Sequence, residues 1–388
     1  MSQGDAPKRK THIFIKLAIV IICVAVPAFV VLSLSVGGFD FLRVLSFLPQ
    51  RVPEITVSEF SFDVGKDRDF AFMEGHVAAV GSLGLQVFDS AGRETLRSQF
   101  RMNSPAILNN GTRSIAFDIG GTSVRVFDYA QILASIETDD LIVSASINPN
   151  GWFCVVTQER ISGRSMITVY NSSGLDVYVV GMATGFALLA ELSHDNSDLA
   201  ILNLTSAGSR ITLYQKIFDD EFKDEPDIVF DIKSGLIIYI SYLPSGDILA
   251  ISTNLLFLVD ASGTGTVLYH FEGRQFGDFT YSDDFISLHL YDFALGHQGI
   301  LVTLLLDGTV VKEKFVDRDI ISMSSADETL MILKSDGVMF YNKELHEFPA
   351  SIENPFASAA GQVIAVSEDA VLAASDNLAV VIRREHVR

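Results

Sequence analysis

Short runs of alternating apolar and polar residues, separated by turn-forming residues, recur along the chain from about position 55 onward. One example is "YLPSGDILAIS" at 242–252, in which a polar turn that begins with Pro and ends with Gly leads into an alternating apolar run. The segment "INPNGWFCVVT" at 147–157 has the same order. Because these runs are short, rich in β-branched and aromatic residues, and bounded by Gly, Asn, Asp and Pro, they predict strands rather than helices.

This phrase, a polar turn followed by an alternating apolar run, recurs in eight copies along the sequence. Each copy is followed by a second alternating run such as "LQVFDSAG" or "LFLVDASG". Seven intervals between Gly75 and Asp369 give a mean spacing of 42 residues. A period near 42 with four short strands per unit is typical of propeller blades, since one sheet cannot bury both of its faces alone. The sequence therefore predicts an all-β, eight-bladed β-propeller. Seven blades are the alternative, if the last unit is an edge extension.

The last unit is shorter than the others and offers three strands before the sequence ends at Arg388. The segment "ITVSEFSF", Ile55 to Phe62, has strand composition and precedes the first complete unit. We expect this strand to complete the last blade, so that a propeller over 55–388 is closed by strand 55–62. The opening phrase then corresponds to the A–B turn and the B strand of each blade, counting strands A to D outward from the centre.

The N-terminal part contains an uncharged run of 20 residues from Leu17 to Val36, long enough as a helix to cross about 30 Å of hydrocarbon. Lys8, Arg9 and Lys10 precede it, so the positive-inside rule predicts a cytoplasmic N-terminus. We predict a cytoplasmic tip over 1–12, a transmembrane signal-anchor helix over 13–37, a linker over 38–54, and a propeller outside the cell membrane. A cleaved signal peptide is the alternative.

Composition narrows the possible partners. The formal net charge is −20, and an acidic exterior repels nucleic acid and favours cationic partners. Neither of the two cysteines, Cys23 and Cys154, has an evident partner, so no disulfide framework is predicted.

The chain resembles a family of membrane-anchored propellers of unknown function, found mainly in clostridial genomes. The resemblance rests on the basic tip, the single span, the linker and the repeat period near 42 residues. More distantly, the ring is similar to quinoprotein-like eight-bladed propellers. Trp152 is the only tryptophan in the sequence, so the repeated tryptophan docking motifs of quinoprotein blades are missing. No cofactor is therefore expected.

A search for reactive residues gives no catalytic or metal site. His194 and Asp195 could form an acid–base pair, but they lie at a predicted A–B turn, where a solvated turn is the favoured interpretation. The acidic run from Phe218 to Asp227 is an insertion in a C–D connection; it could bind Ca²⁺ weakly, although a solvated loop is favoured. The inner-strand candidates "FALLA", "LIIYISY" and "IISMSS" offer almost no carboxylates for glycoside cleavage.

The longest predicted B–C loops are "QERISGRS" at 158–165 and "YDFALGH" at 291–297, on the face opposite the entry of the linker. Variable loops on a rigid ring commonly carry recognition. The candidate binding residues are Arg160, Arg164, Tyr291, Phe293 and His297. The sequence thus favours an interaction module that binds a protein or a wall polymer. The alternatives are an exported glycan-active hydrolase or lyase, and a sensor ectodomain.

Overall fold

The computed structural model of the protein describes residues 55–182, 185–219, 225–232, 235–291, 298–317, 319–348, 352–353, 360–375 and 378–384. The predicted tip, transmembrane helix and linker lie outside these residues. Within them, no helix has the length and apolar character needed to span a membrane.

Throughout the described ranges the chain forms strands, which make up eight four-stranded antiparallel sheets, blades I to VIII. The strands of blades I to IV are β2 (Asp69–Met73), β3 (His76–Gly81), β4 (Gly84–Phe88) and β5 (Glu94–Gln99); β6 (Pro105–Asn109), β7 (Ser114–Asp118), β8 (Ser123–Phe127) and β9 (Ile132–Glu137); β10 (Leu141–Ile147), β11 (Phe153–Gln158), β12 (Ser165–Tyr170) and β13 (Asp176–Gly181); β14 (Phe186–Leu192), β15 (Leu199–Thr205), β16 (Gly208–Tyr214) and β17 (Ile228–Ile232).

Blades V to VIII follow the same order, except that the outer strand of the last blade comes from the start of the propeller. Their strands are β18 (Ile237–Tyr242), β19 (Ile248–Ser252), β20 (Leu255–Val259) and β21 (Gly265–His270); β22 (Gln275–Tyr281), β23 (Ile286–Tyr291), β24 (Gln298–Leu304) and β25 (Val310–Asp317); β26 (Ile320–Ala326), β27 (Thr329–Lys334), β28 (Gly337–Asn342) and β29 (Ile352–Glu353); β30 (Ala360–Ser367), β31 (Ala370–Ser375), β32 (Leu378–Arg384) and β1 (Ile55–Ser61).

The predicted closure of the ring is confirmed. Strand β1 pairs antiparallel with β32, with Ile55 opposite Arg384 and Ser61 opposite Leu378. The inner strand of the last blade, β30, contacts the inner strand of the first, β2. The prediction of eight blades is therefore correct, and the seven-bladed alternative is wrong.

The repeated phrase of the sequence is the A–B turn. In blade V the Leu243 N–H donates to the Asp247 carbonyl at 2.8 Å, and the Gly246 N–H donates to the Leu243 carbonyl at 2.9 Å. Gly246 has φ +90°, a conformation that residues with a Cβ rarely adopt, and Gly151 occupies the same position in blade III with φ +76°. This backbone requirement explains why the phrase carries glycine.

Burial follows the position of each strand in its blade. The middle strands β7, β19 and β31 are buried on both faces because a neighbouring blade covers each side, whereas outer strands such as β5 and β25 are largely exposed. Among the described residues, eight clusters of buried apolar side chains lie one at each interface between neighbouring blades. The ring is thus held together by packing between sheets.

The strand order gives the propeller two distinct faces. We call the face with the A–B and C–D turns the AB face, and the face with the B–C and D–A connections the BC face. Since Ile55 pairs with Arg384 at the end of the C strand of blade VIII, the chain enters the ring on the AB face, as predicted.

Candidate functional site

The predicted binding loop of blade III lies on the BC face, where it joins β11 to β12. Arg160, Ile161 and Arg164 are all exposed, and Ile161 is completely so. The loop is braced internally, because the Glu159 N–H donates to the Arg164 carbonyl at 2.9 Å and the Gly163 N–H to the Glu159 carbonyl at 3.0 Å. It therefore presents two cations and one apolar side chain on an ordered hairpin.

The candidates of blade VI do not join this group. Tyr291 ends β23 and is half-buried, with its ring 4.6 Å from that of His289. Phe293 and His297 lie outside the described residues. Because blades IV and V separate blades III and VI, Tyr291 is not a neighbour of the blade III arginines.

The two segments that sequence analysis assigned to solvated turns lie at the predicted connections. Asp195 belongs to the A–B turn of blade IV, where its Oδ1 accepts hydrogen bonds from the Ser193 hydroxyl at 2.6 Å and the Ser197 hydroxyl at 2.9 Å. These bonds lower the pKa of Asp195. The acidic run belongs to the C–D connection of blade IV, between Tyr214 and Ile228, and its residues 220–224 lie outside the described ranges.

Inner strands carry more carboxylates than the sequence analysis expected. Two of them join neighbouring blades: Asp69 accepts the Ile107 N–H at 3.0 Å, and Asp278 accepts the Met323 N–H at 2.8 Å. Burial raises the pKa of both carboxyl groups, although backbone hydrogen bonds oppose the shift. Both aspartates therefore have a structural role.

The third inner-strand carboxylate, Glu191, differs because it borders a cavity. Strand β14 continues past the predicted segment "FALLA" to include this residue. A bulge between Ala187 and Leu189 interrupts the alternation of side chains, so that Ala187 and Ala190 both pack against blade III. Glu191 is two residues beyond Leu189 and lies with it on the side of blade V.

A cavity of about 220 Å³ opens at the AB-face mouth of the central channel. It is lined by inner-strand ends and A–B turns of blades II to VI, including Asn110, Pro149, Glu191, Ser241 and Tyr281. Blades II and VI lie opposite each other in a ring of eight, so the cavity spans the propeller axis. We call it the channel cavity.

Hydrogen bonds between turns fix the rim of the channel cavity. The Asn110 amide donates to the Asn148 carbonyl at 2.8 Å, which ties blade II to blade III. The Asn148 amide donates to the Ser193 carbonyl at 2.9 Å and to the Asn196 side chain at 2.6 Å, which ties blade III to blade IV. The rim of the cavity from blade II to blade IV is therefore pre-organised by residues that also form the repeated turn.

Tyrosines from blades V and VI border Glu191. The Tyr281 hydroxyl donates to Ser241 Oγ at 2.9 Å and lies 3.5 Å from the Tyr239 hydroxyl. Glu191 is half-buried, and burial of its carboxyl raises the pKa of this group to about 8. Burial, followed by the nearby Asp198, Asp195 and Glu191 charges, raises the pKa of Tyr242.

Sequence analysis missed Glu191 because it ended the fourth inner strand too early and discounted inner-strand carboxylates. A usable signal was present in the sequence: Glu191 stands one residue before the last apolar position of its strand, next to a recognisable A–B turn. Within the described residues, no group of three or more His, Cys, Asp or Glu is placed to hold a metal ion.

Solved structures confirm the fold. BamB from Moraxella catarrhalis has a TM-score of 0.53 and 12% identity, and the match covers 85% of this chain and 100% of that one. The C-terminal WD40 domain of Sif2 has a TM-score of 0.59 and 13% identity, and the match covers 84% of this chain and 99% of that one. At such identities the likeness concerns the fold alone.

Sequence comparison identifies the family. No curated protein matches the sequence significantly. A family model described as a family of unknown function, DUF5711, matches residues 55–355, which cover blades I to VII and the closing strand. The expected resemblance to a propeller family of unknown function is thereby confirmed, and the chain belongs to the DUF5711 family of unknown function.

Proposed function

We propose that the protein is a membrane-anchored, extracytoplasmic interaction module that binds another protein or a wall polymer through its BC face. The observation that carries the proposal is the braced hairpin of blade III, on which Ile161 is fully exposed between Arg160 and Arg164. Arginine is enriched among residues that dominate binding energies, and an ordered loop loses little entropy on binding. The propeller fold is consistent with such a role.

The sequence supports the proposed location, and the point at which the chain enters the ring supports an orientation of the propeller. The uncharged run from Leu17 to Val36 follows a basic segment, which supports an anchor with a cytoplasmic N-terminus. Because the chain enters on the AB face at Ile55, this face would lie toward the membrane. The BC face and the blade III hairpin would then point away from it.

Protease added to intact, wall-stripped cells is expected to degrade the propeller, since the whole ring is exposed outside the membrane in this proposal. Immunoblotting with an antibody against the propeller follows its disappearance over time. A cytoplasmic protein probed on the same blot reports cell integrity. Full protection of the propeller until the cells are lysed would refute the extracytoplasmic location.

The triple variant Arg160→Ala, Ile161→Ser, Arg164→Ala is expected to lose its partner. Truncating one interface anchor costs about 2 kcal/mol or more, which exceeds a tenfold loss of affinity. Crosslinking in intact cells, followed by affinity capture and mass spectrometry, measures protein partners. Sedimentation with purified wall material measures polymer binding.

A matched control on the same face separates the hairpin from general surface effects. Leu83→Ser combined with Arg101→Ala changes an exposed apolar residue and an exposed arginine in the BC-face connections of blade I. This control should retain binding, and both variants should melt at the wild-type temperature. Recovery of every partner and of wall material at wild-type yield by the triple variant would exclude the blade III hairpin as the binding site.

A further inference from the structure

The channel cavity has the charge and surface of a cation site. Its described lining includes the carboxylates of Glu191 and Asp283, the rings of Tyr242 and Tyr281 and the imidazole of His194, but no lysine or arginine. Carboxylates and aromatic faces both attract ammonium groups, the latter through the ring quadrupole. The whole chain adds to this attraction with a net charge of −20.

The Glu191 carboxyl has spare hydrogen-bonding capacity on the inner-strand side of the cavity. Among the described residues, no hydrogen bond or ion pair involves its carboxyl group, whereas Ser241 accepts from Tyr281 and the rim asparagines are engaged with neighbouring turns. Part of the carboxyl surface opens onto the cavity although protein encloses it otherwise. Burying a carboxyl without a partner is costly, so a ligand that supplies donors there gains binding energy.

The size of the cavity limits the ligand to a small group. Its volume of about 220 Å³ corresponds to roughly seven water molecules at ~30 Å³ each. A short alkylammonium group fits this space, whereas a folded domain or a polymer chain must remain outside. The cavity also lies on the face opposite the blade III hairpin, so the inference does not depend on the proposed function.

We propose that the channel cavity binds a primary ammonium group, which forms an ion pair with Glu191 and lies against the rings of Tyr242 and Tyr281. The ammonium group belongs either to a small alkylamine or to a lysine side chain that another chain inserts into the channel mouth. Both sources present the same three donors and one positive charge.

Binding of n-butylamine to the purified full-length chain tests the proposal by isothermal titration calorimetry. An alkylamine keeps its charge below pH 9, because its pKa is close to the lysine value of about 10.4. Glu191 must release a proton to form the ion pair. We therefore expect the affinity to rise about tenfold per pH unit from pH 6 to 7.5 and to level off above pH 8. Titration in buffers with different ionisation enthalpies should show nearly one proton released per amine bound at pH 6.5.

Two comparisons make the test specific. Glu191→Gln should weaken n-butylamine binding at pH 8 at least tenfold and abolish the pH dependence, while Glu368→Gln, at an exposed A–B turn, should bind as the wild type does. n-Butanol has the same alkyl chain without the charge and should not bind measurably. The proposal is wrong if n-butanol binds as tightly as n-butylamine, or if Glu191→Gln retains wild-type affinity and pH dependence.

A lysine derivative distinguishes the two sources. N-acetyl-lysine methylamide carries the same ammonium group on a peptide backbone. Binding of this probe at least as tight as that of n-butylamine would assign the site to an inserted lysine side chain. Exclusion of this probe, with n-butylamine still bound, would assign the site to small amines.

Discussion

Deleting residues 55–61 from the full-length chain is expected to lower the melting temperature by more than roughly 10 °C and to cause aggregation. The deletion removes the partner of β32 along its full length, from Leu378 to Arg384. Exposed edge strands of this kind associate with other chains. It also removes Phe60, which is 3% exposed and packs between blades VIII and I. Circular dichroism on heating and size-exclusion chromatography with light scattering measure both effects.

Two single substitutions on the same strand distinguish the loss of side-chain packing from the loss of the strand itself as the cause of the lower stability. Phe60→Ala should cost about 3 to 5 kcal/mol, because it leaves a cavity at the interface that closes the ring. Val57→Ala changes a side chain that is 46% exposed and should stay within about 0.5 kcal/mol of the wild type. Equal melting temperatures for the wild type, the deletion and Phe60→Ala would show that β1 does not hold the ring closed.

The propeller fold could be predicted from sequence because A–B turns of different blades share the same local backbone requirement. Gly246 and Gly151 take a left-handed backbone conformation at equivalent A–B turns, and each is followed by a strand buried on both faces. A glycine-containing turn followed by an apolar strand can be recognised in a short window of sequence. The closing strand was accessible as well, since a three-stranded last unit requires a partner and the segment from Ile55 has strand composition.

The side-chain directions of the inner strands were harder to predict from sequence, because they depend on tertiary structure. Blades III to VIII each have a bulge near the start of the inner strand, as between Ala187 and Leu189 or between Phe276 and Asp278. A bulge changes which side chains share a face, so strict alternation gives the wrong assignment beyond it. The inter-blade role of Asp278 also depends on an N–H group of the next blade, 45 residues away in the sequence.

The channel cavity could not be predicted for a similar reason. Its lining comes from five blades, from Asn109 to Asp283, and no local pattern brings these residues together. The blade III hairpin was predictable as an exposed loop with two arginines. The full exposure of Ile161, which makes the hairpin distinctive, emerged only from the structure.

Stability should fall as the pH rises from 5 to 8, in part because of Glu191. Burial raises the pKa of this carboxyl from 4.5 to about 8 in the folded protein, so the folded state holds a proton that the unfolded chain releases. The stabilisation from this proton is complete below pH 4.5 and is lost as the pH rises through 8. Between pH 5 and 8 the loss is at most about 1.4 kcal/mol per pH unit and reaches on the order of 4 kcal/mol in total.

Glu191→Gln should remove this dependence, because glutamine is neutral at every pH and has nearly the same shape as the protonated acid. The variant should match the wild type near pH 5 and exceed it in free energy of unfolding by an increasing margin up to pH 9. Urea titrations of both proteins at half-unit pH intervals measure the difference, in which the titrations of all other groups cancel. Glu368→Gln, at its exposed turn, is the control for the same chemical change made at a solvent-exposed site. A pH-independent difference between Glu191→Gln and the wild type would mean that Glu191 stays ionised in the folded protein, and that the channel mouth is far wetter than its enclosure by five blades implies.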